Sequence, residues 1–148
     1  DAEAFLLHLG GAAGEPARWS GDSYPHRLGS MNGFVVLPDG KRMLYTTRKG
    51  ALAVIDRAER RPMDELTQYG IKGADLRGKP TLYGNRLYIA DRFFGRLVVV
   101  DISDLAHPRL LARHQFAANP GLVVEHQGKM LVPGGYDGLL VAPVPGRR

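Results

Sequence analysis

With 148 residues, of which 44% are hydrophobic, the chain can form one domain with a substantial core, and no apolar run approaches the ~20 residues of a membrane-spanning helix. Its formal charge of +5 comes from scattered lysines and arginines without a basic helix, an RNA-recognition signature or zinc-finger spacing, which argues against nucleic-acid binding. The absence of cysteine excludes disulfides, thiolate metal sites and cysteine nucleophiles.

The first segment of the chain contains a predicted strand at residues 5–9, followed by a stretch without periodicity at residues 10–29. Loops of this length inside compact domains are uncommon and are often functional. This one concentrates side chains that suit ligand recognition, namely Trp19, Asp22, Tyr24, His26 and Arg27. We expect them to line or cover a ligand face. The alternative is a covering loop in which the tryptophan plugs the base or edge of the domain.

Three similar stretches follow, and their leading glycines, Gly40, Gly84 and Gly128, are 44 residues apart. Each copy has an apolar run, a turn that contains glycine, a second apolar run, a short loop ending in glycine, and a third run. A proline-led fourth run completes the first two copies. Four short strands with hairpin-length links are the meander of one propeller blade, and the period matches.

The apolar runs are short and rich in β-branched residues, so they predict strands rather than helices. The third runs, at residues 52–56, 97–101 and 139–144, are the clearest. We therefore predict an all-β chain of about three four-stranded antiparallel blades. The predicted division is an N-terminal closing strand and long loop (1–29), blade one (30–70), blade two (71–116) and blade three (117–148), the last without its outer strand.

The second copy, GNRLYIADRFFGRLVVVDISDLAHPRLLARHQF, resembles the bacterial LVIVD repeat, a propeller blade named for its third strand, which here reads LVVVD at residues 97–101. The first copy keeps LAVID at residues 52–56, whereas the third has Pro143 where the aspartate is expected. The resemblance implies a β-propeller and a periplasmic or secreted setting, with the cytoplasm as the alternative. It implies no reaction, because propellers host many unrelated functions.

Three blades do not close a propeller, which typically has about four to eight. Each blade buries its faces only against two neighbours, so three blades would leave two apolar faces in water. Because the chain starts at Asp1 rather than Met, a processed or partial chain is also expected. We predict closure by dimerisation or by a larger chain or partner, with residues 5–9 beside residues 139–144 of a second copy or a neighbouring segment.

The loops between the second and third strands of each copy form the other candidate site, because propellers usually bind ligands on the face that these loops build. Their candidate residues are Arg92, Phe94 and Tyr136, and the corresponding loop of the first copy reads RKG at residues 48–50. Such side chains suit a sugar, a peptide or an anionic group. In the alternative interpretation Phe93, Phe94 and Tyr136 pack between the blades and the charged side chains face water.

The sequence contains no catalytic or metal-binding motif. None of the five histidines has the spacing of a paired metal site, so we expect no metal and no cofactor. The leading hypothesis is a binding or scaffold segment for a small polar ligand, a carbohydrate or a protein partner. The alternatives are a subunit or fragment of a propeller enzyme, such as a carbohydrate-active hydrolase or lyase with its site at the propeller axis near Asn32, Lys79 and Asn119, and a purely structural assembly piece.

Overall fold

The computed structural model describes residues 33–56, 68–117 and 119–146 in full, and the backbone of two further segments, Ala2–Gly10 and Arg18–His26. Within these residues every regular element is a β-strand except one 3-10 turn at Gly135–Asp137. This part of the chain contains no helix long and apolar enough to cross a membrane. The predicted all-β class is confirmed.

The N-terminal segment forms two antiparallel strands, β1 (Ala2–Gly10) and β2 (Arg18–His26), which pair along their whole length. The sequence predicts a strand within β1 and a loop at the residues of β2. The second of these predictions is wrong. β2 has no regular alternation of apolar and polar residues, which is the usual sign of a strand. Its backbone groups nevertheless find their partners in β1, and this pairing makes it a strand.

The first blade is an antiparallel meander of β3 (Gly33–Val36), β4 (Arg42–Thr46), β5 (Leu52–Asp56) and β6 (Gln68–Tyr69). The turn before β4 includes Gly40, whose φ of 66° favours glycine. The blade therefore has the four strands that the sequence predicts, although its outer strand is only two residues long.

The second blade has the same order, with β7 (Lys79–Tyr83), β8 (Arg86–Asp91), β9 (Arg96–Asp101) and β10 (Arg109–Gln115). Residues 87–90 and 97–100 of its two central strands are each at most 3% exposed. Strands buried on both faces need continuous apolar runs rather than alternation, and this explains the sequence of the best-conforming repeat.

The third blade contains β11 (Val124–His126), β12 (Lys129–Pro133) and β13 (Leu139–Pro143). Among the described residues no fourth strand pairs with β13, and the missing outer strand of this blade stays a prediction. The pairing of residues 5–9 beside residues 139–144 of another segment stays a prediction.

The first two strands of the second and third blades are related by 43 residues, and the third strands by 42, rather than by the 44 of their glycines. The carbonyl of Asn85 accepts a hydrogen bond from Ile102 N at 2.8 Å, and the carbonyl of Gly128 accepts the matching bond from Val144 N at 3.1 Å. Gly84 is therefore the first residue of its two-residue turn, and Gly128 is the second of its turn. Alignment on the glycines shifts the first two strands of the third copy by one residue, which would assign their side chains to the wrong faces.

Two apolar clusters join the blades. Leu44 and Leu52 of the first blade pack against Leu87 and Val98 of the second. On the other face of the second blade, Tyr88, Ala90, Leu97 and Val99 pack against residues of the third, including Met130 and Val132. Three cross-strand rows occupy matching positions on the face that turns toward the following blade: Val35, Leu44 and Val54; Thr81, Tyr88 and Val99; and Val124, Leu131 and Val141.

Among the described residues, no blade packs against the last of these rows. Its flanking members Val124 and Val141 are 47% and 54% exposed, whereas Val99, the counterpart of Val141 in the second blade, is at 0%. At the other end, the side of the first blade that lies away from the second is mixed, since Met43 is 1% exposed and its cross-strand neighbour Val36 is 46% exposed. The expectation of two apolar faces in water therefore holds for the third blade and only in part for the first.

Candidate functional site

A depression of about 360 Å³ opens where the first and second blades meet, and we call it the interblade depression. Its lining comes from the β4–β5 loop, from the segment that leads into β7, and from the end of β8 with the β8–β9 loop. These are loops between second and third strands and a segment that enters an innermost strand. The depression thus lies on the face that the sequence predicts to carry ligands.

Asp91 shapes the β8–β9 loop. Its Oδ1 accepts hydrogen bonds from the backbone N–H groups of Phe93 at 3.1 Å and of Phe94 at 3.3 Å, which is the bonding of an Asx turn. Gly95, with a φ of 63°, completes the turn before β9. The loop leaves Phe93 96% exposed and Phe94 58% exposed, so these rings do not pack between the blades as one interpretation of the sequence had them.

Arg96 links the end of β8 to the segment that leads into β7. Its Nη2 donates to Oδ2 of Asp91 and to Oδ2 of Asp75, both at 2.9 Å. Asp75 also accepts from Nε of Arg77 at 2.9 Å. The guanidinium carbons of Arg96 and Arg77 lie 4.8 Å and 5.6 Å from the ring centroid of Phe94. Ion pairs and cation–π contacts therefore hold this ring in place.

Gly78, in the segment that leads into β7, lies directly against the end of β8. Its φ is 145°, and a Cβ at this position would lie 2.6 Å from the carbonyl oxygen of Ala90. Thr46 of the first blade donates a hydrogen bond from Oγ1 to the carbonyl of Gly78 at 2.6 Å. The backbone conformation at Gly78 therefore fits only glycine. The hydrogen bond from Thr46 links the first blade to the segment that leads into the second.

The interblade depression is positively charged. Four cationic side chains line it, those of Arg48, Arg77, Lys79 and Arg92, against the single carboxylate of Asp91. Arg77 pairs with Asp75, but within the described part of the chain Arg48, Lys79 and Arg92 have no carboxylate partner. These three side chains are exposed to solvent.

Because of the ion pairs of Asp75, we expect the free energy of unfolding to decrease as the pH falls into the acidic range. Hydrogen bonds from the side chain of Arg77 lower the pKa of Asp75 from 3.8 to about 2. A carboxylate with a lowered pKa stabilises the folded state above its unfolded-state value, and the contribution is lost as the pH falls through the folded value. We expect Asp75→Asn to unfold more easily than the parent at neutral pH, and the difference to shrink between about pH 4 and about pH 2. Urea denaturation across this range measures it, and a difference that stays constant would contradict the assignment.

The structure brings two of the eight predicted site residues, Arg92 and Phe94, into the interblade depression. Tyr136 lies in the 3-10 turn of the third blade, where its side chain is fully exposed and does not line this depression. The remaining five lie where side chains are not described: Trp19, Asp22, Tyr24 and His26 within β2, and Arg27 outside the described residues. Their roles stay predictions.

Sequence reasoning missed Arg77 and Gly78 as site residues. The available signal was their position directly before an innermost strand, because that connection opens on the same face as the β8–β9 loop. Of the axis positions proposed for an enzyme, Lys79 lines the depression, Asn119 does not, and Asn32 lies outside the described residues. Residues 33–56, 68–117 and 119–146 contain no group of three or more histidine or acidic side chains that could hold a metal ion.

Comparison with known proteins identifies the repeat. Residues 81–115, which comprise most of the second blade, match the family model of the LVIVD repeat. No curated protein matches the chain. Among solved structures it is similar to "KlHsv2 with loop 6CD replaced by a Gly-Ser linker", with 11% identity and a TM-score of 0.47 over 76% of this chain and 35% of that one, so it spans about a third of that structure's length. The LVIVD repeat and the three consecutive meanders make this chain part of a β-propeller.

Proposed function

We propose that this chain, a β-propeller segment with an LVIVD repeat, is a binding segment whose ligand face is the interblade depression. The observation that carries the proposal is the exposed ring of Phe93 beside the unpaired cations Arg48, Lys79 and Arg92 in one concave site. A flat apolar surface next to a few converging polar groups is the usual composition of a small-molecule site. The occupant we favour is a small polar ligand, including a carbohydrate, rather than a protein partner, because the site is concave.

The chemistry of the depression favours binding over acid–base catalysis. A general acid or base needs a side chain that can reach the substrate and exchange a proton with it. Asp91, the one carboxylate among the described lining residues, already accepts hydrogen bonds from two backbone N–H groups and from Arg96. A hydrolase or lyase site at the propeller axis would have to use other residues, such as Asp22 and His26 of β2.

Binding is tested with the full 148-residue chain labelled with ¹⁵N and a panel of glucose, N-acetylglucosamine, glucuronate and phenylalanine. We expect at least one of these probes to shift the amide signals of Gly78, Phe93 and Phe94, and Phe93→Ala to weaken the response. Tyr136→Ala is the matched control, since it removes an equally exposed ring outside the depression. Shifts confined to β2 or to the Gly135–Asp137 turn would show that the ligand face lies elsewhere.

We also propose that the third blade is covered in the assembled protein by a second copy of the chain or by a neighbouring propeller segment. The support is its outward row, Val124, Leu131 and Val141, whose two flanking members are exposed and whose counterparts in the first two blades lie against the following blade. The outer edge of β13, with which no described strand pairs, is where the fourth strand lies in the other two blades, and residues 5–9 are the strand we expect there.

Covering by a second copy predicts self-association that a charge on this face abolishes. We expect the parent chain to form dimers with rising concentration and Val141→Glu to stay monomeric, because a carboxylate in an apolar interface is strongly unfavourable. Size-exclusion chromatography with light scattering measures both, and Phe93→Glu serves as a control that places the same charge at an exposed apolar residue elsewhere. A parent chain that is monomeric at every concentration would rule out the second copy and leave a neighbouring segment as the occupant.

A further inference from the structure

We infer that the interblade depression selects small organic anions, with a carboxylate or phosphate held by Arg48, Lys79 and Arg92 and the rest of the ligand against Phe93. The inference rests on the proposed function and makes its ligand class specific. It comes from the hydrogen-bonding capacity of the lining, from the balance of charge around it and from the size of the site.

The lining offers many donors and almost no free acceptors. Guanidinium and ammonium groups only donate hydrogen bonds, and four of the lining side chains are of these two kinds. Among the described lining residues the one acceptor side chain, Asp91, is engaged at both oxygens, by Phe93 N and Phe94 N at Oδ1 and by Arg96 at Oδ2. A neutral sugar presents hydroxyls that donate as well as accept, whereas a carboxylate or phosphate ester group only accepts when fully ionised. The lining therefore matches an anion better than a neutral sugar.

The balance of charge points to the same class. Asp75 and Asp91 pair with Arg77 and Arg96, and these ion pairs leave the other three cations of the site uncompensated. Arg48 comes from the first blade, while Lys79 and Arg92 come from two different parts of the second. Like charges gathered at one site repel one another, and a bound anion removes that cost. Arginine also offers the planar pair of donors that a carboxylate or phosphate accepts in a bidentate manner.

Phe93 is the ring that is free to contact the ligand. The ring of Phe94 already faces the guanidinium groups of Arg77 and Arg96 at 5.6 Å and 4.8 Å. Phe93 is 96% exposed at the rim of the same depression. Its face can pack on the flat or apolar side of an organic anion while the charged group lies among the cations. A volume of about 360 Å³ is at the small end of ligand sites, which suits a molecule of the size of a monosaccharide acid.

The decisive experiment compares glucuronate with glucose, which have the same ring and differ by a carboxylate in place of a hydroxymethyl group. We expect glucuronate to shift the amide signals of Gly78, Arg92 and Phe93 in the full chain, with an affinity that falls as sodium chloride is added. Glucose at the same concentration should leave these signals unchanged. Inorganic phosphate is the third probe, and we expect it to bind the same residues more weakly, because it lacks a face for Phe93.

Variants separate the anion contacts from general effects of charge. Arg92→Gln and Lys79→Gln should each weaken glucuronate binding by about tenfold, the loss typical of one charge-assisted hydrogen bond. Arg109→Gln is the matched control, since it removes an exposed arginine of the same blade that pairs with Asp101 and does not line the depression. Equal losses in all three variants would overturn the inference, because they would indicate only long-range attraction.

The outcomes also distinguish this inference from the proposed function. Binding of glucose as tight as that of glucuronate, at the same amide signals, would overturn anion selection and leave the binding segment intact. Failure of both glucuronate and phosphate to shift any amide signal of the depression would also overturn anion selection. The proposed function would then still be decided by the response to glucose and N-acetylglucosamine. Phosphate binding that equals glucuronate binding would support an anion site and overturn the role given to Phe93.

Discussion

Replacing Glu125 with alanine should lower the free energy of unfolding by about 2–4 kcal/mol, because it removes one partner of a mostly buried ion pair. Glu125 of the third blade accepts hydrogen bonds from Nε and Nη2 of Arg86 at 2.7 Å and 2.8 Å, and from the hydroxyl of Tyr88 at 2.7 Å. Its side chain is 10% exposed and that of Arg86 is 23% exposed. Burial raises the pKa of Tyr88, which favours the protonated hydroxyl that donates to Glu125.

Urea denaturation of three variants measures the role of Glu125. The double variant Arg86→Met with Glu125→Leu should recover much of the loss, because two apolar side chains leave no charge unpaired. Asp39→Ala is the surface control, since its ion pair with Arg42 is exposed and its removal should change stability little. If Glu125→Ala were no more destabilising than Asp39→Ala, the ion pair between Arg86 and Glu125 would not contribute to the interface between the second and third blades.

The second large effect is expected at Gly78. Gly78→Ala should cost at least about 2 kcal/mol, because a φ of 145° is unfavourable for any other residue and the new methyl group would collide with the backbone of β8. Gly40→Ala is the matched control. Gly40 also has a positive φ, of 66°, but nothing lies within 4 Å of the added carbon, so only the conformational cost of about 1 kcal/mol applies.

Thermal or urea unfolding of both glycine variants separates the steric cost from the conformational one. Gly78→Ala should also disturb the interblade depression, since Thr46 and the end of β8 meet at this residue. Equal losses in the two variants would contradict the close contact between Gly78 and Ala90. A stable Gly78→Ala chain with an unchanged amide spectrum would contradict it directly.

The sequence predicts the second blade almost strand for strand because residues 97–100 form a continuous apolar run between Gly95 and Asp101. It fails at two places where that local signal is absent or misleading. β2 shows no alternation, and only its pairing with β1 makes it a strand. Gly84 and Gly128 occupy different turn positions, because Gln127 adopts a φ of 47° that glycine usually supplies, and so an alignment on the glycines misplaces the first two strands of the third copy by one residue.

The candidate site was predictable only in part because two blades build it. Arg92 and Phe94 could be recognised from one loop, since the loop between second and third strands is easy to locate in a repeat. The contribution of Arg48 and Lys79 depends on how the first and second blades stack, which a sequence pattern does not give. The exposure of Phe93 depends on the Asx turn of Asp91, whose hydrogen bonds leave no trace in composition.

The unequal packing of the blades sets the order in which they open. Each blade contacts only its neighbours, so the chain behaves as a short one-dimensional array whose units separate one interface at a time. Among the described residues, opening the third blade disrupts the cluster around Tyr88 and Met130 and the ion pair between Arg86 and Glu125, whereas opening the second blade disrupts these and also the cluster around Leu44 and Leu87. Amide protons of β8 and β9 should therefore exchange with solvent last and those of β11 and β13 much earlier. The third blade, which needs the least free energy to detach, is also the one with the uncovered face. Exchange of blades between chains would therefore begin there.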